Sequence, residues 1–181
     1  MANRPNSYVL EKPVYLIGFM GAGKSSIGRY LSRKYGFVLV DADSYLEEQE
    51  GIKISQIFAE QGEERFRDLE THYLAELSKT PQIISTGGGV VKRAENRAFM
   101  KEHGFVIYLS VTAEAAAARI RDTSTRPLFK DLETAKATIA ERAPWYEDAA
   151  SAIVDTVGLS VKQISAEVFR LLTEHQLISH V

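Results

Sequence analysis

The chain contains no cysteine, which excludes disulfides and thiolate metal centres and suits a reducing compartment. It has no excess of one charge. Lys and Arg number 22 against 24 Asp and Glu, a net charge of −2, so there is no basic footprint for nucleic acid. No apolar run approaches the roughly 20 residues that cross a membrane. Residues Met1 to Lys12 lack the apolar core of a signal peptide and read as a flexible N-terminal extension. Repeats and low-complexity stretches are absent. The four histidines, His72, His103, His175 and His180, show no ligand spacing and read as surface residues. These absences point to a cytoplasmic protein without nucleic-acid or membrane partners, expected to be a monomer. At 181 residues and 45% hydrophobic, residues 13–181 form one domain with a sizeable core. No room is left for a separate substrate domain.

What is present starts with Gly18-Phe19-Met20-Gly21-Ala22-Gly23-Lys24-Ser25, which fits the phosphate-binding pattern G-x-x-x-x-G-K-[ST]. Its context is right: Val14 to Ile17 reads as a buried strand, and Ile27, Tyr30 and Leu31 recur afterwards at helical spacing. Such a loop aims successive N–H groups at phosphate oxygens at the start of a helix. Lys24 can reach the β- and γ-phosphates, and the Ser25 hydroxyl can ligate Mg²⁺. The loop predicts a binder of nucleoside triphosphate.

Four further strands alternate with helices. They are predicted at Phe37–Asp41, Gln82–Thr86, Phe105–Leu109 and Ser151–Thr156. Ser44–Glu50 and Ile54–Gln61 read as two short helices, and Gly62 precedes a longer one whose buried face carries Phe66, Leu69, Tyr73, Leu74 and Leu77. Further helices are expected around 93–102, 113–121 and 134–146. A last one opens at the capping box Ser160-x-x-Gln163. Residues 122–132 read as a mobile loop. The predicted class is α/β, a five-stranded parallel sheet covered on both faces, with its sites at the carboxyl ends of the strands.

Those strand ends carry the chemistry. Asp41-Ala42-Asp43 sets two carboxylates beside the phosphates, where one can support a hard cation and the other can orient or deprotonate a hydroxyl. Asp43 could instead merely cap the helix that follows. Gly87-Gly88-Gly89 follows a buried strand, where absent side chains let a ligand approach the backbone. Arg67 and Arg142, each taken alone, read as surface residues or halves of weak ion pairs. Arg126, in the mobile loop beside Pro127, could close over the γ-phosphate. Arg119 and Arg121 are possible nucleotide contacts that spacing alone does not rank.

Taken together, these motifs resemble the shikimate kinase family. The resemblance runs from Tyr15 to the last helix. It rests on the phosphate loop, Asp41-Ala42-Asp43, Phe66-Arg67-Asp68, Thr86-Gly87-Gly88-Gly89, Arg126-Pro127-Leu128 and Glu141-Arg142-Ala143-Pro144-Trp145-Tyr146, in that order. It implies a three-layer P-loop nucleoside-kinase-like fold, with a helical substrate-binding insert after the second strand and a lid at about 122–132. It implies phosphorylation of the 3-hydroxyl of shikimate by ATP with Mg²⁺, a step toward chorismate and the aromatic amino acids. Residues Gly21, Ala22, Gly23, Lys24, Ser25 and Ser26 would hold the ATP phosphates, and Ser25 with Asp41 would serve the metal. Asp43 would bind the acceptor hydroxyls and act as base. Arg67 and Arg142 would bind its carboxylate beside Gly88, Arg126 would be the lid arginine, and Arg119 the adenine contact. Ser26 replaces the usual Thr and keeps the hydroxyl. The 155–160 loop lacks a basic residue that some members place against adenine, so no role is carried there. A gluconate kinase and a nucleotide-dependent switch are the competing expectations.

Overall fold

The computed structural model describes residues 7–120 and 132–180. The chain runs β1 (Tyr8–Leu10), β2 (Val14–Ile17), α1 (Lys24–Tyr35), β3 (Leu39–Asp41), α2 (Ala42–Glu50), α3 (Ile54–Leu77) and β4 (Ile83–Ser85). A 3-10 turn at Val90–Lys92 precedes α4 (Ala94–His103), β5 (Phe105–Ser110) and α5 (Ala113–Ile120). The chain ends with α6 (Leu132–Ala149), β6 (Ala152–Asp155), α7 (Val161–Glu174) and β7 (Ile178–His180).

Five strands form a parallel sheet in the order β3-β4-β2-β5-β6. Strand β2 is buried at all four positions, and the period of two divides it between two cores. Val14 and Leu16 face a cluster with Ile27 and Leu31 of α1 and Val168 and Leu172 of α7. Tyr15 and Ile17 face the other, with Leu74 and Leu77 of α3, Met100 of α4 and Tyr146 of α6. Both faces are therefore covered, as the continuous apolar strands predict. A third, smaller cluster of Leu46, Ile57, Phe66, Leu69 and Tyr73 holds α2 onto α3.

The local signals act as the sequence predicts. Ser160 and Gln163 form a complete capping box on α7. Thr112 Oγ1 accepts from Ala115 N at 3.1 Å at the head of α5. The break before the long helix lies inside α3, where Gly62 has φ 84° and ψ 168° and separates two helical pieces. Helix α6 continues past Pro144 to Ala149, further than expected.

One expectation needs correction. Residues 8–12 are not part of a loose extension. Strand β1 pairs antiparallel with β7, Val9 opposite Ser179, and Tyr8 packs edge-on against Tyr35 and Phe169 at centroid distances of 6.0 and 5.1 Å. Tyr35 and Phe169 are themselves stacked at 4.0 Å. This aromatic contact supplies the burial that a three-residue strand cannot gain from its ladder alone. His180, the last residue of β7, is exposed as the sequence reading expects, and its ring stands edge-on to Tyr8 at 5.0 Å. Residues 1–6, also assigned to the extension, lie outside the described residues, as do Arg121, Arg126 and the lid up to residue 131.

Candidate active site

The carboxyl ends of β2, β3 and β4 lie side by side, and each is followed by one of the motifs. After β2 the phosphate loop turns into α1. Gly23 is the N-cap at φ 93°, a conformation that L side chains rarely adopt, and its neighbours Lys24 and Ser25 open the helix. Gly21 lies against α5, where a Cβ would stand 3.0 Å from Ala116 Cα. The Lys24 ammonium donates to the Gly18 carbonyl across the loop. Ser26, on the first turn, is 3.5 Å from Arg29.

After β3 the two aspartates divide differently from the simplest expectation. Asp41, not Asp43, caps α2: its Oδ1 accepts from Ser44 N at 3.0 Å. Its Oδ2 accepts from Ser25 Oγ at 3.2 Å, which joins the two residues expected to serve a metal. Asp43 lies in the first turn of α2 and points toward β4. Burial, and secondly the Asp41 charge, push its carboxyl up to about 6, against the opposing pull of Lys24 and Arg67.

After β4 come the three glycines, and each makes room for a charged group. A Cβ on Gly87 would stand 2.8 Å from Asp43 Oδ1 and 3.0 Å from Glu70 Oε2. One on Gly88 would meet Arg142 NH1 at 3.2 Å, and one on Gly89 would collide with the Arg67 guanidinium. The turn is stitched to the core at both ends. Thr86 Oγ1 donates to Leu16 O at 2.8 Å, and Tyr146 OH donates to Gly88 O at 2.5 Å.

Two anions hold Arg67. Its NH1 donates to Glu70 Oε1 at 2.8 Å, and its NH2 lies 3.4 Å from Glu63 Oε1, which Lys92 also holds at 2.8 Å. Glu70 is nearly fully buried, and burial pushes its carboxyl up to about 7 despite Arg67. Arg67 Nε and Glu70 Oε2 are both buried without a hydrogen-bond partner. Orphaned polar atoms of this kind are costly and mark a place where a ligand or water is wanted. Sequence reasoning missed Glu70, although its place three residues after Arg67 on one helix was the available signal.

Arg119 sits at the other end of the phosphate loop. Its NH1 donates to Gly21 O at 2.9 Å and Thr156 Oγ1 at 3.0 Å, and its NH2 to Thr156 O at 2.7 Å. These bonds fix the guanidinium between the loop and the β6–α7 connection.

The arrangement thus combines a phosphate loop, a hydroxyl–carboxylate pair, and a pocket edged by two arginines and two carboxylates, Glu70 buried and Asp43 partly so. Comparison with known proteins agrees with it. The sequence model of the shikimate kinase family matches residues 20–173. A shikimate kinase of Bacillus anthracis is 44% identical over 165 residues, covering 90% of this chain and 99% of its own. One from Geobacter metallireducens is 43% identical over 159 residues, covering 86% and 88%. The solved shikimate kinase of Acinetobacter baumannii in complex with shikimate superposes with a TM-score of 0.84 at 31% identity, covering 92% of this chain and 95% of that one. A gluconokinase from Sinorhizobium meliloti reaches 0.58 at 14% identity, a likeness of fold alone. The chain belongs to the shikimate kinase family.

Proposed function

We propose that this protein transfers the γ-phosphoryl group of ATP to the 3-hydroxyl of shikimate, forming shikimate 3-phosphate and ADP on the route to the aromatic amino acids. The observation that carries this reading is the triple-glycine turn. Arg67 and Arg142 approach it with positive charge and Asp43 and Glu70 with carboxylates, all beside the phosphate loop. An acceptor with one carboxylate and several hydroxyls matches two cations, two anions and an open backbone.

In this reading Gly21 to Ser26 cradle the phosphates, and Lys24 leaves the Gly18 carbonyl to meet the β- and γ-oxygens. Arg67 and Arg142 hold the acceptor carboxylate, which fixes its hydroxyl for in-line attack. Asp43 accepts a hydrogen bond from that hydroxyl and takes its proton as the bond to phosphorus forms. Arg119 offers its face to the adenine. Arg126, outside the described residues, keeps the role of the lid cation. A monomer in the cytoplasm is part of the same proposal.

Among the described residues no cluster of three or more His, Cys, Asp or Glu could cage a metal. The donor set fits Mg²⁺ nonetheless: Ser25 Oγ and Asp41 Oδ2 are hard oxygens already in contact, and this ion commonly takes few protein ligands and completes its shell with phosphates and water. Bound there, Mg²⁺ supplies charge neutralisation on the β- and γ-phosphates. The test is ADP release, coupled to a spectroscopic assay, against a panel of hydroxy acids. Turnover dependent on shikimate supports the proposal. Turnover dependent on gluconate, or none with any acid, overturns it.

A further inference from the structure

Tyr146 belongs to the run Glu141 to Tyr146, yet none of the roles above uses it. Its side chain is fully buried, and its ring stacks on Tyr108 of β5 at 4.9 Å and 23°. Packing alone would be met by phenylalanine. The hydroxyl is different, because a buried hydroxyl is costly unless it finds partners. Here it donates to Gly88 O at 2.5 Å, and Arg142, whose NH1 lies 3.2 Å from where a Gly88 Cβ would be, adds its positive charge to the surroundings of the hydroxyl.

Those two groups belong to separate parts of the acceptor pocket. Gly88 lies in the turn after β4. Arg142 stands four residues before Tyr146 on α6, on the same helical face. We infer that Tyr146 is a positioning residue for the acceptor, whose hydroxyl locks the Gly88 peptide and the Arg142 guanidinium into one rigid unit. Donation to Gly88 O fixes the 88–89 peptide plane, so the Gly89 N–H must point to the opposite side. The Arg142 guanidinium lies over the place where Gly88 lacks a Cβ, its NH1 3.2 Å from that point, so a fixed Gly88 peptide also bounds its swing. A binding group held this way loses less freedom when the carboxylate arrives. The nucleotide end of the site does not depend on this bond, since its loop is braced by Arg119 and Asp41 instead.

This role rests on the acceptor reading above, and the test separates the two. Steady-state kinetics are measured for the full chain, varying ATP and shikimate independently, with thermal melts alongside. Tyr146→Phe keeps the ring and is expected to raise the KM for shikimate about three- to tenfold, while the KM for ATP and kcat stay within about twofold. Tyr108→Phe removes the neighbouring hydroxyl of the stacked pair and is expected to keep the wild-type KM. Placing 4-aminophenylalanine at position 146 restores a donor and should recover the acceptor KM; 4-fluorophenylalanine, which fills the space without donating, should not. These two also serve if Tyr146→Phe does not fold. An unchanged shikimate KM in Tyr146→Phe, or an equal rise in Tyr108→Phe, overturns the positioning role alone. Absence of shikimate-dependent turnover in the wild-type protein overturns that role together with the functional reading.

Discussion

Asp43 and Glu70 aim their carboxylates at one point, 2.8 and 3.0 Å from where a Gly87 Cβ would be. They reach it from α2 and α3, the two helices that the small Leu46–Ile57–Tyr73 cluster clamps together. Burial raises the pKa of both, the Asp41 charge adds to the rise at Asp43, and the Asp43 charge adds to the rise at Glu70. The folded protein therefore holds two carboxylates where neither is comfortable. That is the expected cost of preparing a site for polar groups that arrive with the ligand.

The cost at Glu70 is measurable. Its carboxyl goes from the ordinary 4.5 to about 7 on folding, so the folded state favours the protonated form. The stability linked to that proton is fully present below about pH 4.5 and is lost as pH rises through about 7. Glu70→Gln should remove this dependence. In denaturant titrations at a series of pH values, the wild type should lose about 3 kcal/mol relative to the variant across that window. Parallel curves for the two proteins would refute the assignment.

Lys24→Met should fold normally and lose nearly all turnover. The ammonium rests on the Gly18 carbonyl across the loop and should move onto the phosphates when ATP binds, a contribution typically worth several kcal/mol in the transition state. Circular dichroism and the coupled assay together check it. A folded variant that turns over near the wild-type rate would mean the loop does not serve phosphoryl transfer.

Arg67→Ala and Arg142→Ala should each damage use of the acceptor far more than binding of ATP. One lost charge-assisted hydrogen bond to a carboxylate is worth about 1.5–3 kcal/mol. Arg67→Ala should be the worse of the two for stability, because it strands Glu70, buried with one oxygen already unpartnered. Lysine at either position should restore only part of the loss, since a point charge cannot reproduce the planar fork. Independent titration of ATP and shikimate distinguishes these outcomes, and a defect mainly in ATP affinity would contradict the assignment.

Particular residues explain what the sequence could and could not reveal. The sheet was legible because Val14 to Ile17 and Phe105 to Leu109 are continuous apolar runs bounded by turns, as strands buried on both faces must be. The Gly62 break was legible because glycine there interrupts a helical pattern with φ 84°. Strands β1 and β7 were not: each is three residues long, and Tyr8 meets His180 across almost the whole chain. Nothing local announces such a pair. Glu70 was hidden for a related reason. A glutamate on a helix reads as solvated, and only the fold brings Asp43 and Gly87 against it. The distinction between the two aspartates was hidden as well, because a cap is defined by backbone geometry that the motif does not encode.

That distinction leads to opposite signatures from residues two positions apart. Asp41→Asn should leave α2 in place, since Asn caps as well as Asp and can still accept from Ser44 N. What it loses is charge beside Ser25 Oγ, so its activity should need more Mg²⁺ and recover at high concentration. Asp43→Asn keeps size and hydrogen-bonding capacity but cannot take a proton. If Asp43 is the base, turnover should fall by roughly 10²–10⁴, with shikimate affinity less affected and no recovery by Mg²⁺. The wild-type rate should also climb with pH through about 6 as the Asp43 carboxyl ionises, and the variant should lack that limb. A loose phosphoryl-transfer transition state needs little help from a base. Near wild-type turnover in Asp43→Asn, with the acid limb intact, would therefore leave Asp43 as a residue that holds the hydroxyl and nothing more.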